Sequence, residues 1–169
     1  MSRQSDQTPS AWKAGKLPYG TGLTLETAKK LLEAGEKEAE KQGVPMAIAI
    51  VDAGGNLLAF HRMDNTLLES INIATDKAFT AVLAKLPTSH WMKSFQGWGF
   101  TPPFIHERWI TFPGGFPIIK NGEIIGGIGV SGGTIEDIYV AQAALKAGGF
   151  SLDDVTAAIV EIESVTGEP

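Results

Sequence analysis

A chain of 169 residues, of which 43% are hydrophobic and 20% charged, is long enough for one compact domain with its own core. The formal net charge of −5, with Lys and Arg scattered along the chain, argues against nucleic acid as a partner. The absence of cysteine excludes disulfides, thiolate metal sites and thiol nucleophiles. No apolar run is long enough for a membrane span and the N-terminus lacks a signal-peptide pattern, so we expect a soluble cytoplasmic protein.

The chain is predicted to consist of a polar arm and one folded domain. Residues 1–22 mix Ser, Gln, Gly and Pro without a period, which is typical of an extended arm. Trp12 and Tyr19 are its candidate anchors, either on its own subunit or on a neighbour. We expect residues 23–165 to form a single domain.

The domain is predicted to begin with a helix and a β-hairpin. Thr24 is placed to cap an amphipathic helix, and Gly43 is placed to end it. Two apolar runs, MAIAIVD and LLAFHRM, then flank a turn at 53–56, which predicts a hairpin with Asp52 ending its first strand and His61 near the end of its second. The predicted apolar face of the helix consists of Ala28, Leu31, Leu32, Gly35 and Ala39.

A second helix is predicted where Thr66 and Glu69 have the spacing of a capping box, and it extends to about Lys85. A long loop rich in Gly, Pro and aromatic residues follows. Its last part is predicted to enter a strand, so that three strands follow the loop.

The C-terminal part of the domain is predicted to contain a hairpin and two helices. FPIIK and EIIGGIGV flank Asn121-Gly122, a dipeptide that favours a type I′ turn. Thr134 and Asp137 have the spacing of another capping box, and Gly148 is placed to end that helix. A further short helix is predicted over 151–162. Because hairpins dominate over βαβ units, we expect an α+β fold in which helices pack on an antiparallel sheet.

The segment from Gly127 to Gly132 matches the G-x-G-x-x-G pattern of dinucleotide-binding proteins. Its strand is the second arm of a hairpin, and no parallel strand with a ribose-binding acid follows, so a dinucleotide site is not expected. Two interpretations remain. Gly132 and Gly133 hold an anion at a helix N-terminus, or the glycines only allow a helix to pack closely on the sheet.

The long loop contains the most suggestive polar residues, His106, Glu107 and Arg108. In an extended segment His106 and Arg108 would project to one side and Glu107 to the other, which suits a general base beside an anion clamp. The alternatives are a surface ion pair between Glu107 and Arg108 and an oligomer interface. The aromatic side chains that would line a site here are Trp98, Phe104 and Trp109.

His61 and Lys77 are further candidates. His61 lies at a strand end, where a histidine is either functional or hydrogen-bonded for structural reasons. Lys77 shares a helix face with apolar residues, so it either binds a substrate carboxylate or pairs with Glu69 or Asp52. The three histidines are far apart, and no metal-binding spacing occurs, so no metal site is predicted.

Four blocks of the sequence together resemble the GlcG/HbpS family, also called the haem-degrading or PduO C-terminal-like family. The blocks are VDAGGNLLAFHRMD, the helix around Lys77, FPGGFPI and NGEIIGGIGVSGGTIEDIYVAQAAL. The resemblance covers the chain from about Leu23 to Leu145. The resemblance implies a profilin-like three-layer α/β/α fold with a five-stranded antiparallel sheet. It also implies a homo-oligomer with a small-ligand pocket, and some members of the family bind haem.

Two functions are therefore compatible with the sequence. The first is a binding protein for haem or another small ligand in an aromatic-lined pocket, with His61 or His106 on the iron. The second is a metal-free enzyme for a small carboxylated substrate, with His106, His61 and Glu107 as candidate catalytic residues and Arg108 and Lys77 on the carboxylate. A subunit with a purely structural role in an assembly is the third alternative.

Overall fold

A computed structural model describes residues 19–97 and 106–152 of the chain, although not the side chains of 94–97. Helices and strands alternate irregularly through these residues, and we number each kind in chain order. They are α1 (Leu25–Gln42), β1 (Ala47–Asp52), β2 (Leu57–Arg62), α2 (Ser70–Ala84), α3 (Thr88–Gly97), β3 (Gly115–Lys120), β4 (Glu123–Ser131) and α4 (Glu136–Ala147).

The strands in the described ranges form one antiparallel sheet of four strands in the order β2-β1-β4-β3. The predicted antiparallel α+β fold is thus confirmed, but the expected count of five strands is not met within these ranges. The end of the long loop, which was predicted to enter a strand, instead forms a turn in which Trp109 N donates to His106 O over 2.9 Å. Two strands therefore follow the loop in the described residues, where three were predicted.

The helices cover both faces of the sheet. Successive residues of β4 point to opposite faces. A Cβ atom at Gly127 would lie 2.6 Å from the carbonyl oxygen of Ala78 in α2, and one at Gly129 would collide with the carbonyl oxygen of Ala74. On the other face, Gly35 of α1 lies close to Ile48 and to residues of α4. The result is three layers, with α2 on one face and α1 and α4 on the other. The glycines of the G-x-G-x-x-G pattern thus serve close helix packing at Gly127 and Gly129.

The first helix agrees with its prediction. The Thr24 hydroxyl accepts from Thr27 N over 3.1 Å at the N-terminus, and Gly43 ends the helix in the left-handed conformation with φ 70°. The five residues predicted for its apolar face are all buried. The type I′ turn is also confirmed, because Asn121 and Gly122 both have positive φ, at 53° and 75°.

Both predicted capping boxes are wrong. The Thr66 hydroxyl donates to Met63 O in a preceding turn, so α2 begins at Ser70 without a side-chain cap. The Thr134 hydroxyl donates to Glu136, and α4 begins at Glu136 without a capping side chain at its N-cap. In both cases the helix begins later than predicted, with Glu69 and Ile135 at the N-caps, and the threonine hydroxyl bonds within the turn ahead of it.

Two further predictions concern the ends of the described ranges. Tyr19 and Gly20 are held on the domain of their own chain, since the Tyr19 hydroxyl donates to Val82 O over 3.1 Å and Gly20 N donates to Ile124 O over 2.9 Å. Trp12 and the helix predicted over 151–162 lie outside the described residues, except for 151 and 152. Within the described part of the chain, the helices are too short or too polar to cross a membrane.

Candidate functional site

A pocket of about 530 Å³ lies where the N-terminal half of α2 meets the connection between β4 and α4. The loop that precedes β3 closes its third side. The walls are mainly apolar and are formed by Leu67, Ile73, Phe112, Pro113, Ile135 and Ile138.

A buried ion pair lines this pocket. Lys77 Nζ lies 2.7 Å from Asp137 Oδ2 and donates to Val130 O over 2.7 Å, and the two side chains are only 2% and 3% exposed. Burial lowers the pKa of the Lys77 ammonium, while the neighbouring carboxylate opposes this effect. Lys77 was predicted to pair with Glu69 or Asp52 if it did not bind a substrate. Both proposed partners were wrong, because the side chain reaches across the sheet to α4 instead.

Gly114 lies against this ion pair, in the segment FPGGFPI. A Cβ atom there would lie 3.2 Å from Lys77 Nζ and 2.8 Å from Asp137 Cβ, and its φ of 115° is one that favours glycine. Thr88 holds the same loop, since its hydroxyl donates to Phe112 O over 2.6 Å and accepts from Gly115 N over 3.0 Å. The loop is therefore fixed against α2 and α3, and it places Phe112 at the pocket.

Two serines form a second polar pair in the lining. The hydroxyls of Ser131 and Ser70 lie 3.3 Å apart, and both residues are buried. They come from the end of β4 and the first turn of α2, so they join the two elements that bound the pocket.

The segment that leads into α4 also faces the pocket, and the backbone amides of its residues Gly133 and Thr134 are already occupied. Gly133 N donates to Asp137 Oδ1 over 2.8 Å, and Thr134 N donates to Glu136 Oε2 over 3.0 Å. The hydrogen bonds from Thr134 lower the pKa of the Glu136 carboxyl. The anion cradle suggested by Gly132 and Gly133 is thus filled at Gly133 by a carboxylate of the chain itself.

The turn that contains His106, Glu107 and Arg108 lies apart from the pocket lining. It is not extended, because Arg108 N donates to the ring of His106 at Nδ1 over 3.0 Å, and Trp109 N closes the turn. The extended conformation assumed in the prediction is therefore wrong, although His106 and Arg108 do lie on one side, against the Phe79 ring. Glu107 is exposed.

The Arg108 side chain contacts residues on the outer side of α2. Its Nε donates to Asp76 Oδ1 over 2.8 Å, and its guanidinium lies 4.0 Å from the centre of the Phe79 ring. The His106 ring is 5.2 Å from the same phenyl ring. The Thr80 hydroxyl holds the turn by donating to Arg108 O over 3.2 Å. This cluster fastens the loop to the helix.

The predicted aromatic residues are distributed differently from the expected wall. Trp109 stacks edge-on against Trp91 with ring centres 5.7 Å apart, and neither lines the pocket. Trp98 and Phe104 fall outside the described residues. Among the described lining residues, Phe112 is the only aromatic one.

His61 lies on the opposite side of the sheet from α2, where its Nδ1 is 2.8 Å from Glu36 Oε1 of α1. Both side chains are partly exposed, at 40% and 35%. The structure thus separates the candidates into three places: Lys77, Gly132 and Gly133 at the pocket, the turn of His106 to Trp109 on the outer side of α2, and His61 beside α1.

Sequence reasoning predicted only Lys77, Gly132 and Gly133 among the lining residues, and the polar ones that it missed as site residues include Ser70, Ser131 and Asp137. The signal for Asp137 was available, since a lysine on a buried helix face requires an acidic partner. The acid is 60 residues away in sequence, however, and no spacing rule identifies it. The two serines carry no pattern that distinguishes them from surface serines.

Comparison with known proteins adds the family. A family model described as haem degrading protein HbpS-like matches residues 23–146. The chain belongs to this family. It is 38% identical over 130 residues to an uncharacterized 15.0 kDa protein in the dhaT-dhaS intergenic region of Citrobacter freundii, covering 73% of this chain and 89% of that protein.

Two crystal structures of other members show the same fold. The complex of PduOC with heme superposes with a TM-score of 0.72 at 32% identity, covering 78% of this chain and 98% of that one. The structure of HbpS superposes with a TM-score of 0.69 at 34% identity, covering 78% and 94%. The resemblance found in the four sequence blocks is thereby confirmed.

Proposed function

We propose that this protein binds a small molecule in the pocket between α2 and α4. The observation that carries the proposal is a half-open pocket of about 530 Å³ with apolar walls beside a buried ion pair and a serine pair. Ligand sites are typically concave and mostly apolar, with a few fixed polar groups that orient the ligand. An ion pair as deeply buried as Lys77 and Asp137 costs much desolvation energy, and such pairs occur at functional sites as well as in cores.

Fragment mapping by nuclear magnetic resonance tests the proposal directly. A library of small ring compounds at millimolar concentration is added to ¹⁵N-labelled protein, and amide shifts are followed. We expect fragments to move the amides of Ser70, Ser131 and Gly132, which line the pocket. Fragments that move only amides elsewhere, or none, would contradict the proposal.

A pair of tryptophan variants provides the matched control. Ile135 is at the pocket and 53% exposed, whereas Leu57 is 54% exposed on the far strand β2 and does not line it. Ile135→Trp should obstruct the pocket and abolish the fragment shifts. Leu57→Trp adds the same side chain at equal exposure and should leave them unchanged.

Haem is a second candidate ligand, because PduOC binds heme and has the same fold. The pocket itself does not fit an iron-bound haem, since its described lining contains no His, Met, Cys or Tyr to serve as an axial ligand. His61 is chemically better suited. Its Nδ1 is paired with the Glu36 carboxylate, which is the common arrangement in metal-ligating histidines and leaves Nε2 for the metal.

A hemin titration followed by absorbance separates these sites. It uses the wild-type protein, His61→Ala and His106→Ala. If His61 is the iron ligand, the wild-type protein and His106→Ala give a saturable Soret shift that His61→Ala lacks. An unchanged titration of His61→Ala would exclude this role, and a loss in His106→Ala alone would assign the iron to His106.

A further inference from the structure

The charges around the pocket restrict what it can bind, and this inference rests on the proposed function. Three ionisable side chains line the pocket, the carboxylates of Glu69 and Asp137 and the ammonium of Lys77. The single cation is already neutralised by Asp137 at 2.7 Å. Glu136 lies beside the same helix start. The site therefore carries an excess of negative charge at neutral pH.

Two backbone amides just ahead of α4, at the glycines suggested as an anion cradle, are also occupied. Helix N-termini bind anions through free backbone amides. Here Gly133 N is taken by Asp137 Oδ1 and Thr134 N by Glu136 Oε2. A carboxylate entering the pocket would meet two carboxylates and no uncommitted cation among the described lining residues, so no ion pair would offset the loss of its hydration.

Hydrogen-bond donors, in contrast, are left over in the lining. An ammonium has three hydrogens. Lys77 gives two of them to Asp137 Oδ2 and Val130 O, and no acceptor for the third occurs among the described residues. The Ser70 and Ser131 hydroxyls share one hydrogen bond, which uses one of their two hydrogens. Both groups are buried in the lining, where an unmatched donor is costly until a ligand oxygen accepts from it.

We propose that the pocket selects an uncharged, largely apolar molecule with an acceptor oxygen of the carbonyl type, and that it discriminates against the corresponding carboxylate. The apolar walls provide the affinity, and the Lys77 ammonium and the serine pair donate hydrogen bonds to the oxygen. The roles of Lys77 and Arg108 on a substrate carboxylate, predicted from the sequence, would then not be needed in this pocket.

Three compounds of nearly identical shape test the inference: benzamide, benzoate and benzamidine, which are neutral, anionic and cationic at pH 7. Each is titrated into ¹⁵N-labelled protein, and the dissociation constant is taken from the amides of Ser70, Ser131 and Gly132. We expect benzamide to bind at least about tenfold more tightly than benzoate, a difference of about 1.4 kcal/mol. Benzamidine, which lacks an acceptor oxygen, should also bind more weakly.

The outcomes separate the two proposals. Benzoate binding as tightly as benzamide at the same amides would overturn the charge argument while leaving the pocket as a ligand site. If benzamidine bound most tightly, the pocket would supply acceptors rather than donors, and the inferred preference for an acceptor oxygen would also be overturned. If library fragments move the pocket amides and none of the three compounds does, the acceptor-oxygen requirement is wrong. If no compound moves them, the proposed function itself fails.

Two variants probe the source of the selectivity. Asp137→Asn removes the charge that neutralises Lys77, so its affinity for benzoate should rise above that for benzamide. Should this buried variant not fold, Glu69→Gln changes only an exposed carboxylate at the pocket, and it should strengthen benzoate binding by about twofold at low salt. Glu40→Gln, an exposed change on α1 across the sheet, is the matched control and should have no effect. Equal effects of the two glutamine variants would contradict the charge argument.

Discussion

Replacing Lys77 by methionine should destabilise the protein strongly, because it leaves a buried carboxylate without its cation. The Asp137 side chain is 3% exposed, and after the change its remaining hydrogen bond is that from Gly133 N. Removing one partner of a buried ion pair typically costs about 3 to 5 kcal/mol. With a urea m-value of about 2 kcal/mol per molar, the denaturation midpoint should fall by about 2 M.

Urea denaturation of four proteins checks this expectation: wild type, Lys77→Met, Lys30→Met and the double variant Lys77→Met with Asp137→Leu. Lys30 pairs with Glu26 at 2.8 Å on the exposed face of α1, so Lys30→Met should leave the midpoint unchanged. The double variant has no unpaired buried charge and should be more stable than Lys77→Met by about 1 kcal/mol or more. The reasoning would be refuted if Lys77→Met were as stable as Lys30→Met, or if the double variant were the least stable.

Three further predictions concern the packing, the pH dependence and the assembly. Gly129→Ala places a Cβ against the Ala74 carbonyl oxygen, so it should lower the free energy of unfolding, measured by urea denaturation, by about 3 kcal/mol. Gly122→Ala places its Cβ in open space but at a φ of 75°, so it should lower the free energy of unfolding by only about 1 kcal/mol. Burial and, to a lesser degree, Lys93 lower the pKa of His90 below its ordinary 6.5, so the unfolded chain binds a proton that the folded chain does not. The free energy of unfolding should therefore fall as the pH drops through this value. In urea titrations, His90→Gln should lose less of this free energy than the wild type between about pH 7 and pH 5. An identical loss in the variant would contradict the assignment to His90. The homo-oligomer implied by the family resemblance predicts a molar mass by light scattering that is a multiple of 18.0 kDa, and a value at the monomer mass would contradict it.

The sequence predicted the fold well because local rules determine most of it. The period of apolar residues in α1, its Thr24 and Gly43 ends, and the Asn121-Gly122 turn all depend on residues that are near in the chain. The helix α3 was missed within a loop rich in Gly and Pro. The capping boxes failed because α2 and α4 begin later than predicted, so that Thr66 and Thr134 lie ahead of the residues at the N-caps.

The candidate site was harder to predict because it is built from distant parts of the chain. Lys77 was singled out correctly as unusual, yet its partner is Asp137 on another helix. Arg108 was grouped with Lys77 around one carboxylate, but it extends from a turn to Asp76 on a different side of the same helix. Charge and residue type suggest which side chains are functional, whereas only the three-dimensional arrangement shows which ones share a cavity. The predicted catalytic roles of His106, His61 and Glu107 stay predictions.

The pocket combines a rigid base with an adaptable entrance. Lys77, Asp137 and Gly114 are locked together within the core, so substitutions there act on folding as well as on binding. Leu67 and Phe112 belong to separate connecting segments and are more than half exposed, at 58% and 57%. Changes at these two positions can reshape the entrance at little cost in stability. A scaffold of this kind can acquire new ligands during evolution by changing its loops while its interior stays constant.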